Sequence, residues 1–386
     1  MNQDEIKILF ALMRSAIDGN ELNPEVKNIY SPQMLPKLLK NATKHDIIHL
    51  LALGLKQNNL IPTENSNIEE HILKAVYRYE RLRYEYENLC DALEKAKIPF
   101  LPLKGSVMRK YYPEPWMRTS CDIDILVHEV DMEKAKSILL NEYGYTYHEK
   151  GSHDASFFTT SGVHVELHYN LVEDGRVNES SEVLKTVWNK SAVREGFNYW
   201  LLMPDEMFYF YHVAHMAKHF EDGGCGIRPF IDLWILDNIG ESNEEKRNQL
   251  LNEGGLLKFA QAARRLSSIW FQNCGYDDVS KQMENYILRG GVYGSGKNRI
   301  IVHQQKKGGR FRYALSKIVI PYDTIKFQYP ILQKYRWLTP FMQIRRWCKL
   351  IFCGHKKRVI DELKYNQNIC KNESLTMKKF LSDIGL

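Results

Sequence analysis

The chain contains an apolar strand pattern that is interrupted twice by aspartate, and this pattern limits how the segment can pack. Residues 122–127 read DIDILV. Side chains alternate between the two faces of a strand, so Asp122 and Asp124 share one face while Ile123 and Ile125 point into a core. Because aspartate is depleted in strands, the pair predicts either a solvated edge of a sheet or a face that holds a cation.

A second polar set lies on a later predicted strand. In the stretch HVELHY, Glu166 is in phase with His164 and His168, and apolar residues occupy the other face. If the two strands are neighbours, Glu166 adds a third carboxylate to the aspartate pair. Such oxygen ligands suit Mg²⁺ or Mn²⁺ together with substrate phosphates. A zinc site of His164, Glu166 and His168 is the alternative, although the hard carboxylate oxygens favour magnesium.

A Gly-Ser pair lies between a predicted strand and a predicted short helix. Free backbone N–H groups and the helix dipole at Gly105 and Ser106 favour phosphate. Lys104 and Arg118 are the nearest cations. Arginine suits bidentate contacts with phosphate, and the alternative is that these cations only balance the acidic residues. With the carboxylates, this set predicts phosphoryl or nucleotidyl transfer assisted by one or two metal ions.

The order of patterns along the chain predicts an α+β protein. Apolar residues at helical spacing fill both ends, and short β-rich runs occupy a segment between them. We therefore expect a small mixed sheet flanked by helical regions. The predicted divisions are an N-terminal helical region at 1–95, a core at 96–175, a helical domain at 176–290 and a basic, aromatic C-terminal region at 291–386. The glycines between residues 290 and 310 predict a mobile loop.

Positive charge is concentrated near the C-terminus. The whole chain has a net charge of +6, whereas residues 306–358 contain 14 Lys and Arg and one acidic residue, Asp323. This segment therefore carries +13 and leaves −7 for the remainder. Its cations alternate with aromatic residues, a pattern open to three interpretations: nucleic-acid binding, docking on an anionic membrane surface, and a basic wall folded over nucleotide phosphates.

We expect the folded-back arrangement for this C-terminal region. No nucleic-acid-binding motif is recognisable in it. Outward exposure of many aromatic residues would also favour aggregation. The expectation is that most of five aromatic side chains are buried against the helical domain, namely Phe311, Tyr335, Trp337, Phe341 and Trp347.

Cysteine usage and the absence of long apolar segments indicate a cytoplasmic protein. The seven cysteines are scattered and include no CxxC pair, which argues for reduced thiols. The first twenty residues lack the basic start and apolar core of a signal peptide. No stretch reaches the roughly 18 uncharged apolar residues that span a bilayer.

The segment around the paired aspartates resembles the polymerase-β nucleotidyltransferase superfamily. A strand, Gly-Ser, a helix, Asp-x-Asp on the next strand and an acidic residue on a later strand occur here in that order. The closer resemblance is to its bacterial branch of uncharacterised nucleotidyltransferases, carried by Lys104-Gly105, Arg118 and Glu166-Leu167-His168. It implies that 96–175 is a nucleotidyltransferase α/β core that uses Mg²⁺ (or Mn²⁺) and an NTP, taken here as ATP.

Histidines further along the chain supply a candidate wall for the site. His212, His215 and His219 fall on one face of a predicted helix. Arg228 follows and could meet a phosphate. With His168, these residues are expected to line the cleft in which nucleotide or acceptor binds. The alternative is an amphipathic helix whose histidines cap a buried aromatic stripe.

The sequence as a whole predicts a metal-dependent nucleotidyltransferase. Asp122, Asp124 and Glu166 would hold the metal, while the segment 104–106 and Arg118 would bind the nucleotide. An NMP, taken as AMP, would pass to an acceptor hydroxyl on a protein, small molecule, sugar or RNA end, with release of pyrophosphate. Two alternatives stay open: a catalytically silent nucleotide sensor, and an interaction protein whose basic region binds nucleic acid or an anionic membrane.

Overall fold

A computed structural model describes most of the chain. The described ranges are 1–61, 67–151, 153–172, 178–238, 242–272, 274–352, 356–369 and 371–386. The end of the predicted core at residue 175 lies outside the described residues, as do Cys353 and Cys370.

A five-stranded sheet lies at the centre of the described structure. Its strands are β1 (Phe100–Pro102), β2 (Asp122–Val127), β3 (Thr146–Lys150), β4 (Asp154–Phe158) and β5 (His164–His168). They are arranged in the order β1-β2-β5-β4-β3. The β2–β5 pair is parallel and the other neighbouring pairs are antiparallel. The predicted α+β class with a small mixed sheet is confirmed.

One face of β2 builds the core of the sheet. Ile123, Ile125 and Val127 are fully buried and belong to one hydrophobic cluster with Leu89 of the preceding long helix. Their alternation leaves the aspartates on the other face. Because β2 lies between β1 and β5, it is an interior strand, and Asp124 is only 2% exposed. The solvated-edge interpretation of the aspartate pair is therefore wrong.

Helices precede the sheet. Those described are α1 (Gln3–Asp18), α2 (Pro24–Lys27), α3 (Leu35–Lys44), α4 (Ile48–Gln57) and α5 (Glu70–Lys95). Apolar residues occur at helical spacing across 33–57, but the structure divides this stretch between α3 and α4. The break occurs at His45 and Asp46, where Asp46 has a left-handed φ of 54°. The long helix α5 ends at Lys95, shortly before Pro99.

Further helices surround and follow the sheet. They are α6 (Lys104–Met108), α7 (Met132–Asn141), α8 (Glu179–Lys185), α9 (Val187–Lys190), α10 (Asp205–Glu221), α11 (Arg228–Asp237), α12 (Glu244–Glu253), α13 (Leu257–Gln272) and α14 (Asp278–Leu288). A two-stranded ribbon of β6 (Ala192–Val193) and β7 (Leu201–Leu202) separates α9 from α10.

The N-terminal helices and the helices after the sheet share one hydrophobic core. Phe10 of α1, Phe230 of α11 and Trp270 of α13 belong to the same buried cluster. Phe10 stacks on Trp270 with ring centroids 4.1 Å apart. Aromatic side chains contribute large buried areas to such contacts, so this core fixes α11 relative to α1. The divisions predicted at residues 95 and 290 stay predictions.

The C-terminal region is helical. Its described helices are α15 (Gly296–Lys306), α16 (Arg310–Ile318), α17 (Tyr322–Gln328), α18 (Ile331–Lys334), α19 (Thr339–Phe352), α20 (Lys356–Asn368) and α21 (Lys371–Asp383). No helix in the described ranges is long and apolar enough to cross a membrane.

The prediction of a mobile loop across residues 290–310 is wrong for most of this stretch. Residues 296–306 form α15, which buries Ile300, Ile301 and Val302. The glycines serve turns and close contacts instead. A Cβ on Gly294 would lie 2.5 Å from the carbonyl oxygen of Gly223.

The aromatic residues of the C-terminal region are not buried as predicted. The exposed fractions are 80% for Phe311, 43% for Tyr335, 68% for Trp337 and 57% for Phe341, and Trp347 is half-buried. The folded-back expectation for these side chains is therefore wrong. Helical spacing of apolar residues predicts that a helix has an apolar face, but it does not show which surface covers that face.

Acidification should destabilise the fold through His49 of α4. His49 is 2% exposed, and its Nε2 lies 2.8 Å from the carbonyl oxygen of Met117. Burial lowers the pKa of His49 to about 4. The unfolded chain binds a proton at this histidine below pH 6.5, whereas the folded chain resists it, so stability is lost as the pH falls from 6.5 towards 4. The loss should reach about 3 kcal/mol.

Urea-induced unfolding at pH 7 and pH 4.5 measures this loss. In His49→Gln the amide can still donate to the Met117 carbonyl oxygen but cannot take up a proton. This variant should therefore lose about 3 kcal/mol less than the wild type over the same interval. Equal losses in the two proteins would show that His49 does not control the acid response.

Candidate functional site

The parallel pairing of β2 with β5 brings the three predicted carboxylates together. In this register Asp122 lies opposite His164 and Asp124 lies opposite Glu166. One ligand atom from each of Asp122, His164 and Glu166 lies within 4.8 Å of the others, and the same holds for Asp124, Glu166 and His168. Glu166 is on a central strand, with β2 and β4 on either side. The sheet itself therefore assembles the acidic cluster.

Lys104 and His168 both contact the buried Asp124. Lys104 Nζ lies 2.7 Å from Asp124 Oδ1 and 3.9 Å from Glu166 Oε2. His168 Nε2 lies 2.9 Å from the same Asp124 oxygen and 3.4 Å from Glu166 Oε2. Lys104 has a left-handed φ of 45°, a conformation that costs a non-glycine residue about 1 kcal/mol or more. The Lys104 backbone is therefore strained in the conformation that places its ammonium group beside Asp124.

The surroundings make the two aspartates different. Burial would raise the pKa of Asp124, but the Lys104 charge and the hydrogen bond to His168 hold it well below its ordinary value. Burial and the neighbouring Asp124 charge raise the pKa of Asp122. Burial would lower the pKa of His168, yet its hydrogen bonds to Asp124 and Glu166 raise it. The negative charge of Asp122 is therefore less well compensated than that of Asp124.

Arg118 forms a buried ion pair with Asp232 of α11. Its Nε lies 2.7 Å from Asp232 Oδ1 and its Nη2 lies 2.8 Å from Oδ2, a bidentate geometry. The Tyr112 hydroxyl donates to the same carboxylate at 2.7 Å, and Arg118 Nη1 donates to the Thr119 carbonyl at 2.6 Å. Arg118 is 8% exposed and Asp232 is 0% exposed. These bonds join the segment before β2 to α11, and the phosphate contact expected for Arg118 stays a prediction.

Gly105 and Ser106 occupy different positions relative to the site. Gly105 lines the cavity, and a Cβ at this position would lie 3.3 Å from the Cβ of Ser120. Glycine therefore allows α6 to approach the segment before β2 closely. The Ser106 N–H donates to the Leu103 carbonyl at 3.2 Å, and its buried hydroxyl has no hydrogen-bond partner among the described residues. The phosphate role of this pair also stays a prediction.

A cavity of about 510 Å³ adjoins the acidic cluster. This volume lies within the usual range for small-molecule sites. The side chains predicted to form its wall all line it, namely His168, His212, His215, His219 and Arg228. His212 Nε2 lies 3.0 Å from the Pro229 carbonyl oxygen, and the Nε2 atoms of His215 and His219 lie 3.2 Å apart. The histidines of α10 therefore face the same cavity as the carboxylates of the sheet.

Arg228 supplies a cation to this cavity. Its Nη1 donates at 3.0 Å to Asp46 Oδ2 and at 3.0 Å to the Thr119 carbonyl. Its Nε is buried without a hydrogen-bond partner among the described residues. Burial and the nearby Arg118 charge lower the pKa of Arg228. Arg228 therefore retains an unused donor at Nε, whereas each guanidinium nitrogen of Arg118 already donates to a protein partner.

His45, Asp46 and Tyr211 are among the cavity residues that were not singled out from the sequence. Asp46 accepts from Arg78 at 3.2 Å and from Arg228 at 3.0 Å. His45 is fully buried, which lowers its pKa to about 4, and neither ring nitrogen has a hydrogen-bond partner among the described residues. The break in helical spacing at residues 45–46 was the signal available for two of them. Tyr211 belongs to an aromatic run and has no such signal.

Comparison with known proteins identifies a family but no individual relative. A family model described as an uncharacterised nucleotidyltransferase matches residues 31–272. This range includes α3 to α13, the whole five-stranded sheet and the cavity residues contributed by α10 and α11. No curated protein matches the chain, and no solved structure matches it.

Proposed function

Because the chain belongs to this nucleotidyltransferase family, we propose that it transfers AMP from ATP to an acceptor hydroxyl and releases pyrophosphate. The observation that carries the proposal is the convergence of Asp122, Asp124 and Glu166 beside a cavity of ligand size. The hydroxyl oxygen forms a bond to the α-phosphorus. At the same time the bond breaks between that phosphorus and the oxygen that joins it to the β-phosphorus, and pyrophosphate leaves. The hydroxyl proton passes to a base on the protein.

The donor set of the acidic cluster fits a hard divalent cation such as Mg²⁺ or Mn²⁺. Asp122 and Asp124 would hold it, since carboxylate oxygens are the ligands these ions prefer, and Glu166 would complete the metal site if it does not act as the base. A bound ion of this kind neutralises phosphate charge and stabilises the leaving pyrophosphate. The chain's own contribution is positional, because the β2–β5 register fixes the spacing of the carboxylates before substrate arrives.

Two cations of the cavity support binding of the nucleotide phosphates. Lys104 reaches the acidic cluster directly, and Arg228 lines the same cavity with an unused Nε donor. A phosphate bound in this cavity would lie near both positive charges. In this proposal Arg118 positions α11, and through it Arg228, by its ion pair with Asp232.

Glu166 is the proposed base for the acceptor hydroxyl, and a single substitution tests this role. Glu166→Gln keeps the shape and a carbonyl oxygen but removes the proton acceptor. Turnover should fall at least about a hundredfold, the usual contribution of a general base. The affinity for nucleotide should stay within a few-fold of the wild type, because the remaining carboxylates still face the phosphates.

Turnover and affinity are measured separately for Glu166→Gln, by pyrophosphate release and by calorimetry. Glu142→Gln, which removes an exposed carboxylate from the end of α7, is the matched control and should behave as the wild type. Full activity of Glu166→Gln would remove Glu166 from the reaction. A large loss of nucleotide affinity would make it a metal ligand instead of a base.

Pyrophosphate release tests the proposed activity itself. The purified chain is incubated with each NTP and candidate acceptors, with Mg²⁺ or with EDTA. We expect pyrophosphate release that depends on both the metal and the acceptor and that is fastest with ATP. Metal-dependent binding of nucleotide without release under all of these conditions would favour the catalytically silent sensor.

A further inference from the structure

Half of the exposed large apolar side chains of the described structure lie in one short segment. Eighteen such side chains are exposed, and nine of them fall within residues 311–344. This stretch is less than a tenth of the chain. Scattered exposed apolar residues are normal, whereas a concentration of this kind marks an interaction surface. We call residues 310–349 the C-terminal face.

The exposed apolar residues follow the period of the helices that carry them. On α16, Phe311, Leu315 and Ile318 lie on successive turns and are exposed by 80%, 47% and 43%. On α19, Phe341 and Ile344 are exposed by 57% and 62%. Residues spaced by three or four positions share one side of a helix. Each helix therefore presents an apolar stripe to its surroundings.

The C-terminal face is a folded segment. Its exposed apolar residues therefore do not result from a lack of packing. Tyr313, Ile325 and Leu332 are buried, and Tyr313 belongs to a cluster with Ile300 and Ile301 of α15. Trp347 Nε1 donates to the Ile318 carbonyl at 3.0 Å, which joins α19 to the end of α16. The segment therefore has buried apolar residues and a separate set that is exposed.

Positive charge surrounds the outer apolar set. Exposed cations adjoin both stripes, with Arg310 and Arg312 on α16 and Arg345 and Lys349 on α19. The stretch 306–358 holds one acidic residue against 14 Lys and Arg. A partner for this face must therefore accept apolar side chains and carry negative charge.

We propose that the C-terminal face docks on the surface of an anionic phospholipid bilayer. Lipid head groups supply the negative charge, and the acyl region below them accepts the apolar side chains. Amphipathic helices with basic and apolar residues bind membranes in this way without crossing them. Each Lys or Arg near the surface strengthens the attraction. The proposal concerns a surface outside the cavity and does not depend on the reaction proposed above.

The chemistry of the exposed side chains separates lipid from nucleic acid. Single-stranded nucleic acid binds to such proteins through aromatic stacking and phosphate contacts. Five of the nine exposed side chains are aliphatic and cannot stack, namely Leu315, Ile318, Val319, Ile331 and Ile344. An acyl layer accepts aliphatic and aromatic side chains equally. A second copy of the chain fits less well, because a symmetric contact would bring two strongly positive surfaces together.

Vesicle sedimentation of the full chain tests the proposal. The protein is mixed with phosphatidylcholine vesicles that contain about 30% phosphatidylserine, with vesicles of pure phosphatidylcholine, and with a single-stranded RNA oligonucleotide. No nucleotide is present. We expect partition onto the anionic vesicles that weakens as salt is added, and at most slight partition onto the neutral ones.

Two triple variants separate the contributions of charge and apolar contact. Arg336→Gln with Arg345→Gln and Lys349→Gln should weaken partition on the order of a hundredfold. Trp337→Ser with Phe341→Ser and Ile344→Ser should weaken it at least about tenfold. The matched controls change exposed residues elsewhere and should partition as the wild type: Lys7→Gln with Lys95→Gln and Lys246→Gln, and Leu73→Ser with Val130→Ser and Leu375→Ser.

Three outcomes would overturn the proposal. One is the absence of partition onto anionic vesicles. Another is tighter binding to RNA than to vesicles, with no effect of the apolar triple variant. The third is a concentration-dependent dimer that the apolar triple variant dissociates, which would show that a second copy covers the C-terminal face.

Discussion

Replacing Asp122 and Asp124 together with asparagine should abolish metal-dependent nucleotide binding and lower turnover by about a thousandfold or more. The reason is that a metal ion's charge stabilisation in such reactions is worth several kcal/mol. Both carboxylates lie on the same face of β2, and Asp124 is opposite Glu166, so the change removes two of the three oxygen donors. Calorimetry with ATP and Mg²⁺ measures the loss of binding.

A variant with two substitutions outside the acidic cluster, in the segment that follows β2, serves as the matched control. Glu129→Gln with Glu133→Gln removes two exposed carboxylates from the segment after β2 and should keep wild-type affinity. The aspartate variant should retain its secondary structure, because Ile123 and Ile125 still fill the core of the sheet. Unchanged affinity of the aspartate variant would exclude the acidic cluster as the metal site.

Breaking the Arg118–Asp232 ion pair should produce the largest loss of stability among the substitutions considered. Both side chains are buried, and either one left alone is an uncompensated charge away from water. Arg118→Ala should therefore lower the free energy of unfolding by about 3–5 kcal/mol. Arg14→Ala, which breaks an exposed pair with Asp18, should change it by about 1 kcal/mol or less.

A double-mutant cycle with Asp232→Ala distinguishes the two roles considered for Arg118. If the ion pair with Asp232 is its main role, the two substitutions are strongly coupled in urea unfolding and the double variant is more stable than the sum of the single losses implies. If Arg118 serves the nucleotide, Arg118→Ala weakens ATP binding and leaves the free energy of unfolding close to that of the wild type. That second pattern would contradict the structural role.

The elements of the sheet could be predicted because each depends on local pattern. Alternation placed Asp122 and Asp124 on one face and put Glu166 in phase with two histidines. The three carboxylates then came together because β5 pairs in parallel with β2. That pairing is not local. The chain runs through β3 and β4 before β5, and only the folded sheet shows that β5 is central instead of an edge strand.

The parts that could not be predicted depend on contacts between distant segments. Arg118 meets Asp232 across 114 residues of sequence, and nothing near either residue in the chain indicates the pair. Asp46 meets Arg228 across 182 residues. The glycines around residue 294 resemble a loop by composition, although they allow backbone contact with Gly223. The sequence did not reveal that the aromatic side chains of the C-terminal face are exposed, because the helical spacing of apolar residues is the same whether protein or lipid covers them.

Position-specific labelling of ATP distinguishes nucleotidyl transfer from phosphoryl transfer. The wild-type chain is incubated with Mg²⁺, a cell lysate as the source of acceptor, and ATP labelled at either the α- or the γ-phosphorus, with the Asp122→Asn and Asp124→Asn double variant as the blank. We expect a product that is labelled from α-labelled ATP only and that is absent with the double variant. Label transferred from the γ-position, or no transfer despite nucleotide binding, would contradict nucleotidyl transfer.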